Sequence, residues 1–323
     1  MNPGFMIRLL CSLLFALIIG LMSGYQMLGV SRDFENYFEF FDIVRESVDY
    51  WNVNYRFEPG FTVFIYALAR AGLDNFLIYS VVAGLIVFIK YFAIDFSDKY
   101  WHALLIFTFY LISRYIVLFE MTVLRAACAF SLAFYVFFRK SNNSIKLMDL
   151  VILGIAVLFH YSAIAFFLIY FSNPVSRKKI VFFSLAIFLT VYFSKNIVLT
   201  YLPDYMIVFS TYEDLGKATF LPIPFIIDII FLTFIFFKFK VIDPAMRYAA
   251  MGMAISIALH FSLIDYSIFA ARFRELLSVF ILIYVVRAVY SIDKGVREVS
   301  ALYVFLTGLM YLYGYFVYDP LLL

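Results

Sequence analysis

The stretch Leu150–Ser176, LVILGIAVLFHYSAIAFFLIYFSNPVS, decides how the rest of the chain is interpreted. It carries no charged residue and exceeds the ~20 residues that a helix needs to cross ~30 Å of hydrocarbon. His160 lies near its centre. Basic clusters flank both ends, and one crossing would put them on opposite sides of a membrane: Arg139, Lys140 and Lys146 before it, and Arg177, Lys178 and Lys179 after it.

Because basic residues concentrate in cytoplasmic loops, both clusters are expected in the cytoplasm. Two short arms that rise, break at His160 and return satisfy this expectation. Irregular backbone at membrane depth is tolerated only where it lines a protein-enclosed or water-filled cavity. The pattern therefore predicts that His160 lies at a site. The alternative is one long, slightly tilted helix with a lone core histidine.

The composition indicates a polytopic helical membrane protein. Hydrophobic residues make up 65% of the chain and charged residues 15%, against ~25% charged in a soluble domain. We predict an all-α transmembrane bundle of about nine to eleven spans with short broken or re-entrant helices. No polar segment is long enough for a soluble domain, so residues 1–323 are expected to form a single transmembrane domain.

The first third of the chain shows a span followed by an acidic segment. The uncharged run predicts a first span over Leu9–Val30, with its N-terminus inside. Residues 31–58 are rich in acids and poor in bases, which is typical of an external segment. Its aromatics recur every three or four residues and predict an amphipathic helix lying on the membrane. The run from Pro59 to Ala69 is too short for a span and predicts a half-helix.

The remaining apolar runs predict the later helices. Lys90 and Lys99 are interpreted as marking a cytoplasmic helix end, residues 200–220 as an external loop, and the C-terminus as external. The predicted helices are Asn75–Ile94, Trp101–Leu118, Ala126–Phe138, Ile180–Leu199, Leu221–Phe237, Tyr248–Leu263, Arg272–Val286 and Val299–Tyr318.

Charged side chains near spans are site candidates, because a charge in hydrocarbon is costly. The predicted topology gathers these on the outer face: Asp33, Tyr37, Glu58, Arg114, Glu120, Arg125, His160, Arg272, Arg274 and Glu275. Asp228 is expected deeper in its helix. Two structural alternatives stay open. Arg114 and Arg274 could snorkel to lipid headgroups, and Arg272 could simply pair with Glu275 three positions on.

The arginines suggest the chemistry. A guanidinium is a planar fork that suits phosphate oxygens and stays charged when desolvated. Arg125 and Arg272 are predicted to open helices from the outer leaflet, and their convergence would form a cationic pocket for a lipid phosphate or diphosphate. Acids and a histidine beside it suit a reaction that deprotonates a hydroxyl while a phosphate leaves.

Missing motifs narrow the function further. The sequence has no Gly-rich phosphate loop ending in Lys-Ser/Thr, no His-Glu-x-x-His, no paired Cys-x-x-Cys and no Gly-x-Ser-x-Gly. His102 and His260 are expected at other depths or faces than His160, so no metal or other cofactor is predicted. No segment outside the predicted spans is both basic and aromatic enough to bind nucleic acid, so nucleic acid is not expected as a partner.

Four motifs, in order, resemble the EpsG-like, Wzy-type polysaccharide polymerases. They are Ser31-Arg32-Asp33 with Tyr37, Phe57-Glu58-Pro59-Gly60-Phe61, Leu124-Arg125-Ala126-Ala127-Cys128-Ala129 and Phe159-His160-Tyr161-Ser162-Ala163. Arg272 falls where a late outer-face arginine is expected. The chain departs from the pattern at Ala126, where glutamine is common.

The resemblance implies a GT-C-like bundle in the bacterial inner membrane that polymerises undecaprenyl-diphosphate-linked oligosaccharides, without a metal, at a site facing the periplasm or exterior. Membrane lipid surrounds the protein, and a chain-length-determinant protein is a candidate partner. Arg125 and Arg272 are assigned to the diphosphate and His160 to the base or to acceptor positioning. The residues assigned to further substrate contacts are Asp33, Tyr37, Glu58, Ser162, Arg274 and Glu275.

Three other functions stay open at this stage. A polyprenyl-phosphate-sugar glycosyltransferase would also carry acids in its first external loop. A lipid-linked oligosaccharide flippase or other transporter would need a cationic cavity, more often with internal repeats and a site at mid-membrane. A membrane acyltransferase would need a deeply placed histidine. Neighbouring genes for sugar-nucleotide enzymes and a flippase would favour the polymerase.

Overall fold

The computed structural model describes residues 3–31, 33–50, 53, 57–94, 100–142, 144–200 and 222–318. This part of the chain consists of helices and connecting turns and contains no β-strand, which confirms the predicted all-α class. The chain divides into two compact units, one of residues 1–140, 144–167 and 304–323 and one of residues 141–143 and 168–303. A single transmembrane domain stays a prediction.

The helices follow the predicted order. They are α1 Pro3–Gly24, α2 Phe34–Glu46, α3 Pro59–Arg70, α4 Asn75–Ala93, α5 Tyr100–Tyr110, α6 Leu124–Phe138, α7 Leu147–Phe159, α8 Ile164–Ser172, α9 Arg177–Thr200, α10 Ile223–Phe237, α11 Pro244–Ser262, α12 Ser267–Leu277, α13 Val279–Ala288 and α14 Lys294–Tyr313. α5 continues as a π-helical segment, Leu111–Glu120, and α14 as another, Gly314–Tyr318.

Four helices of the described part are long and apolar enough to cross a membrane alone: Gly4–Gly24, Asn75–Ala93, Trp101–Glu120 and Lys294–Tyr318. Shorter apolar helices accompany them at Leu124–Phe138, Leu147–Phe159, Tyr161–Ser172 and Ile223–Phe237. The chain is therefore a polytopic helical membrane protein, as predicted. The count of nine to eleven spans stays a prediction.

Small residues bring α1 and α4 into backbone contact. A Cβ on Gly20 would lie 2.6 Å from the Ser80 carbonyl oxygen, and one on Gly24 would lie 2.6 Å from the Phe76 carbonyl oxygen. Close approach through small residues is how helices associate where lipid removes the hydrophobic driving force. The pair forms one wall of the first unit.

The amphipathic helix predicted in the acidic segment is present as α2. Its buried face consists of Tyr37, Phe40, Phe41 and Val44. These aromatics contact protein, because the Tyr37 ring lies 5.6 Å from that of Phe57 and 6.0 Å from that of Tyr79. The apolar face expected to lie on lipid therefore packs on α4 and the start of α3. Its placement outside the membrane stays a prediction.

The interpretation that Lys90 marks a cytoplasmic helix end while Glu120 lies at the outer face is wrong as a pair, because the two side chains meet. The Lys90 ammonium forms an ion pair with the Glu120 carboxylate, and both side chains are fully buried. The ammonium also lies 4.6 Å from the centre of the Phe130 ring. The predicted topology placed the two charges on opposite sides of the membrane, whereas their long side chains meet inside the first unit.

The helix break predicted at His160 is confirmed, and the single long helix is wrong. α7 ends at Phe159, and His160 has extended backbone angles, φ −158° and ψ 114°. A short 3-10 turn, Tyr161–Ala163, then leads into α8. The return of the second arm to the side of the first stays a prediction.

Some predicted helix limits differ from the observed ones. The first helix is Pro3–Gly24 rather than Leu9–Val30, because the chain turns after Gly24 and Gln26 adopts a left-handed φ of 50°. Arg272 does not open a helix. It lies within α12, which begins after a turn closed by the Tyr266 amide donating to the Leu263 carbonyl. The loop predicted at 200–220 lies outside the described residues apart from Thr200, which ends α9.

The second unit is built around α11. Gly252 on this helix has no room for a Cβ, which would lie 2.1 Å from the Phe280 ring of α13. Asp243 caps α11 by accepting from the Met246 amide at 2.8 Å and binds Arg287 of α13 at 2.7 Å. One aspartate thus caps the start of a helix and ties it to its neighbour.

Candidate active site

The Glu58 carboxylate joins two of the predicted site residues. Its Oε2 lies 2.5 Å from Nη1 of Arg125, and its Oε1 lies 3.0 Å from Nδ1 of His160. The partners are separated from Glu58 by 67 and 102 positions in the chain. All three residues belong to the first unit. The structure therefore brings together a carboxylate, a guanidinium and an imidazole from three distant motifs.

Three helix ends position these side chains. Glu58 immediately precedes α3, which begins with Pro59; proline favours this position because its fixed φ suits a helix start. His160 immediately follows α7, and Arg125 is the second residue of α6. A helix N-terminus favours a negative charge and a C-terminus a positive one. The ends of α3 and α7 therefore both favour a carboxylate–imidazole pair.

The carboxylate is an anion at any physiological pH. Burial alone would raise the pKa of Glu58, but the hydrogen bond with His160 and the charge of Arg125 lower it to about 2. Its side chain is only 6% exposed. Glu58 therefore serves as a fixed negative centre between two potential cations.

The negative charge of Glu58 determines which imidazole nitrogen of His160 carries the proton. An ionised carboxylate can only accept hydrogen bonds. Nδ1 of His160 therefore carries the proton and donates to Oε1 of Glu58. In a neutral imidazole this leaves the Nε2 lone pair free to accept a proton. The His160 side chain is 18% exposed, so it is accessible from the surface of the unit.

Arg125 is held by two contacts and remains partly exposed. Its guanidinium lies 4.1 Å from the centre of the Phe57 ring, within the range of a cation–π contact. It also pairs with Glu58 and interacts electrostatically with the Tyr37 hydroxyl. Its Nε is buried without a hydrogen-bond partner among the described residues. With 24% of the side chain exposed, the guanidinium is both fixed and reachable.

The remaining predicted residues of the first unit surround this centre. Tyr37 is 2% exposed, and burial raises the pKa of its hydroxyl, so it stays neutral. Asp33 lies one turn before Tyr37, at the start of α2. Ser162 is part of the turn that follows His160 and is partly exposed. Their contacts with substrate stay predictions.

The other predicted residues lie elsewhere. Arg272, Arg274 and Glu275 are on α12 of the second unit, where the Arg272–Glu275 pair is 3.8 Å apart and loosely held. The convergence of Arg272 with Arg125 stays a prediction. Arg114 is 4% exposed, with its guanidinium 4.2 Å from the Tyr311 ring centre. A snorkelling arginine would extend toward lipid headgroups, whereas Arg114 is buried against an aromatic ring.

The sequence interpretation missed the contacts that Glu58 and Phe57 make. It assigned Glu58 to substrate contacts and gave Phe57 no role, whereas the Glu58 carboxylate contacts both His160 and Arg125 and the Phe57 ring lies against the guanidinium. The assignment of Glu58 to substrate stays a prediction. The signal was present in the Phe57-Glu58-Pro59 motif, where a charge directly precedes a helix-starting proline. What it could not supply was the identity of the partners.

The chain is a polytopic α-helical membrane protein whose first unit carries a buried carboxylate linked to an arginine and a histidine. Among the described residues, no group of three or more His, Cys, Asp or Glu side chains could hold a metal ion. The EpsG family model matches residues 9–321, and the chain belongs to that family. EpsG-like proteins are similar to Wzy-type polysaccharide polymerases. No curated protein and no solved structure matches the chain.

Family membership gives the general setting of this site. It indicates a polysaccharide-polymerase type of function, with a lipid-linked polysaccharide as substrate and the inner membrane as location. The motifs that carried the resemblance include all three residues of the centre, Glu58, Arg125 and His160. The site and the sequence resemblance therefore involve the same residues.

Proposed function

We propose that this chain polymerises undecaprenyl-diphosphate-linked oligosaccharide repeat units at the outer face of the bacterial inner membrane. The observation that carries the proposal is the Glu58 carboxylate shared between Arg125 and His160. One partner suits an anionic leaving group and the other suits a hydroxyl that must lose its proton. Block glycosyl transfer from a lipid diphosphate needs both.

The reaction exchanges one carbon–oxygen bond for another. The bond between the anomeric carbon of the growing chain and its diphosphate carrier breaks, and the electron pair leaves with the diphosphate. A hydroxyl of the incoming lipid-linked unit forms the new bond to that carbon. Its proton goes to Nε2 of His160, the nitrogen left free by the hydrogen bond to Glu58. A positioned base of this kind contributes roughly 100- to 10,000-fold in rate.

Arg125 is assigned to the departing diphosphate. It lies in the first turn of α6, where backbone amides lack intrahelical acceptors and favour an anion. The Phe57 ring and the Glu58 carboxylate hold the guanidinium in place, so little reorganisation is needed as charge develops on the leaving group. Arg272 of the second unit is proposed as a second diphosphate ligand, with Arg274 and Glu275 beside it.

The sugar contacts are proposed for Asp33 and Ser162, which flank the centre on α2 and on the turn after His160. Glu58 is proposed to orient the imidazole rather than to bind sugar, because its carboxylate accepts from Arg125 and His160 and its side chain is only 6% exposed. Tyr37 is proposed to position Arg125. A chain-length-determinant protein remains a candidate partner.

The test is polymerisation by the purified chain in proteoliposomes that contain an undecaprenyl-diphosphate-linked oligosaccharide. We expect a product ladder and release of undecaprenyl diphosphate, both unchanged by a metal chelator such as EDTA. A chain that extends the acceptor only when a polyprenyl-monophosphate sugar is supplied is a different glycosyltransferase. Movement of intact lipid-linked substrate across the bilayer without any ladder would identify a flippase.

A further inference from the structure

The start of α3 and the end of α7 cross at a glycine. An ideal Cβ on Gly60 would lie 2.7 Å from the Leu158 carbonyl oxygen, and 2.8 Å from both the carbonyl carbon and the Cβ of Leu158. Real Cβ atoms essentially never come within 3.0 Å of such neighbours. Two of the three atoms are backbone, which cannot rotate away as a side-chain tip can.

The contact between Gly60 and Leu158 lies next to the candidate site on both helices. Gly60 is two positions after Glu58, and Leu158 is two positions before His160. The backbone contact thus occurs beside the carboxylate–imidazole hydrogen bond, which measures 3.0 Å. Any substitution that separates the two helix ends by about 1 Å would lengthen this bond beyond hydrogen-bonding range.

The position does not need glycine for its own backbone angles. Gly60 is the second residue of α3, and it is absent from the residues of the described part that have a positive φ, where Gly72 has a φ of 84°. An alanine there would also be the better helix former. The reason for glycine at this position is therefore the space it leaves for the Leu158 backbone.

We propose that Gly60 is a positioning residue, which lets α3 approach α7 closely enough for Glu58 to orient the His160 imidazole. This rests on the proposed function for its effect on turnover, but the distance it sets is a property of the structure alone. The role differs from packing in general, because the affected contact is the hydrogen bond that fixes which imidazole nitrogen carries the proton.

The experiment compares Gly60→Ala with Gly154→Ala. Gly154 lies on α7, one turn before Leu158, and a Cβ there would meet nothing within 4 Å. Histidine labelled with ¹⁵N reports the Nδ1–H of His160, which is assigned by its loss in His160→Gln. We expect this signal to shift or disappear in Gly60→Ala and to stay unchanged in Gly154→Ala. This arm needs no activity, so it succeeds or fails independently of the proposed function.

A double-mutant cycle on turnover separates positioning from packing. Gly60→Ala should lower kcat by about 10- to 100-fold, since a misplacement of about 1 Å costs on that order. In a Glu58→Gln background the same substitution should cost less than about twofold, because the interaction it disturbs is already weakened. The KM for the lipid-linked unit should change little in either background.

Three results would overturn the proposal. One is an unchanged His160 signal in Gly60→Ala. Another is an equal loss of kcat from Gly60→Ala with and without Glu58, which would indicate a structural role only. The third is loss of the Gly60→Ala protein from membranes under conditions where Glu58→Gln and His160→Ala accumulate normally, because the crossing would then hold the fold rather than the hydrogen bond.

Discussion

The Lys90 ammonium and the Glu120 carboxylate form an ion pair in which neither side chain is exposed. The pair ties α4 to the end of the π-helical segment, five residues before Arg125. The Tyr79 hydroxyl of α4 donates to the Met121 carbonyl at 2.7 Å and holds the same turn at a second point. The polypeptide that carries Arg125 is thus also fixed by contacts outside the Glu58–Arg125–His160 centre.

Breaking this pair should destabilise the protein strongly. Lys90→Met or Glu120→Leu leaves one buried charge without its partner, and such changes cost about 3–5 kcal/mol. The double variant Lys90→Met with Glu120→Leu should recover most of the loss, because replacing both charges by apolar groups is often neutral. Thermal unfolding in detergent measures all three variants.

The exposed pair Lys294 and Glu298, whose side chains are 78% and 64% exposed, provides the control. Lys294→Met should change stability by less than about 1 kcal/mol, since exposed pairs contribute little. A double Lys90 and Glu120 variant no more stable than the worse single variant would contradict the account of the buried pair.

Arg125 should require a guanidinium and not only a positive charge. Arg125→Ala should abolish polymer, and Arg125→Lys should restore little of it, because lysine lacks the planar fork that binds two phosphate oxygens. The polysaccharide ladder, normalised to protein in the membrane, measures the effect. Arg139→Lys, an exposed position just after the other end of α6, is the control and should remain active. Full activity of Arg125→Lys would show that general charge suffices.

The stability contributed by Glu58 should persist to low pH. Its pKa in the folded protein, about 2, is below the ordinary value of 4.5, so this stability is fully present above about 4.5 and is lost as pH falls toward 2. The displacement corresponds to about 3 kcal/mol. The difference in melting temperature between the native protein and Glu58→Gln should therefore stay large from pH 8 to 5.

The exposed Glu46, at the end of α2, gives the comparison for this titration. Glu46→Gln should have little effect at any pH in the same range. If the difference between the native protein and Glu58→Gln vanished by pH 6, the Glu58 carboxyl would titrate near neutrality, and the assignment of the His160 Nδ1 proton would lose its basis.

The topology can be tested by labelling single cysteines in a chain without Cys11 and Cys128. Ser176→Cys, at an exposed position between α8 and α9, should react with a membrane-impermeant reagent only after the membrane is opened. Ser162→Cys, beside His160, should react from outside. Strong external labelling at residue 176 would place the basic residues 177–179 outside and contradict the broken-helix topology.

Local signals predicted much of the fold. The uncharged runs gave the helices, Pro59 gave the start of α3, and the conflict between basic clusters and span length gave the break at His160. The pairing of Lys90 with Glu120 could not be read in this way, because it depends on where two long side chains meet across helices. The sequence pattern only suggested opposite ends for them.

The site was predicted as a set of residues but not as a geometry. Arg125, His160 and Glu58 were each singled out by the cost of burying charge, yet nothing local indicates that one carboxylate would join residues 67 and 102 positions away. The close approach of Gly60 to Leu158 could not be predicted from the sequence for the same reason. Its cause lies in the backbone of Leu158, a residue with no polar side chain.

The most direct measurement of the central claim is turnover by His160→Ala and Glu58→Gln in the reconstituted polymerisation assay, together with the KM for the lipid-linked unit. If Glu58 orients His160 as the base, His160→Ala should lower kcat by roughly 100- to 10,000-fold with KM nearly unchanged, and Glu58→Gln should lower kcat in the same direction. A loss of less than tenfold in His160→Ala would contradict the account, and His160 would then be a packing residue at a helix break.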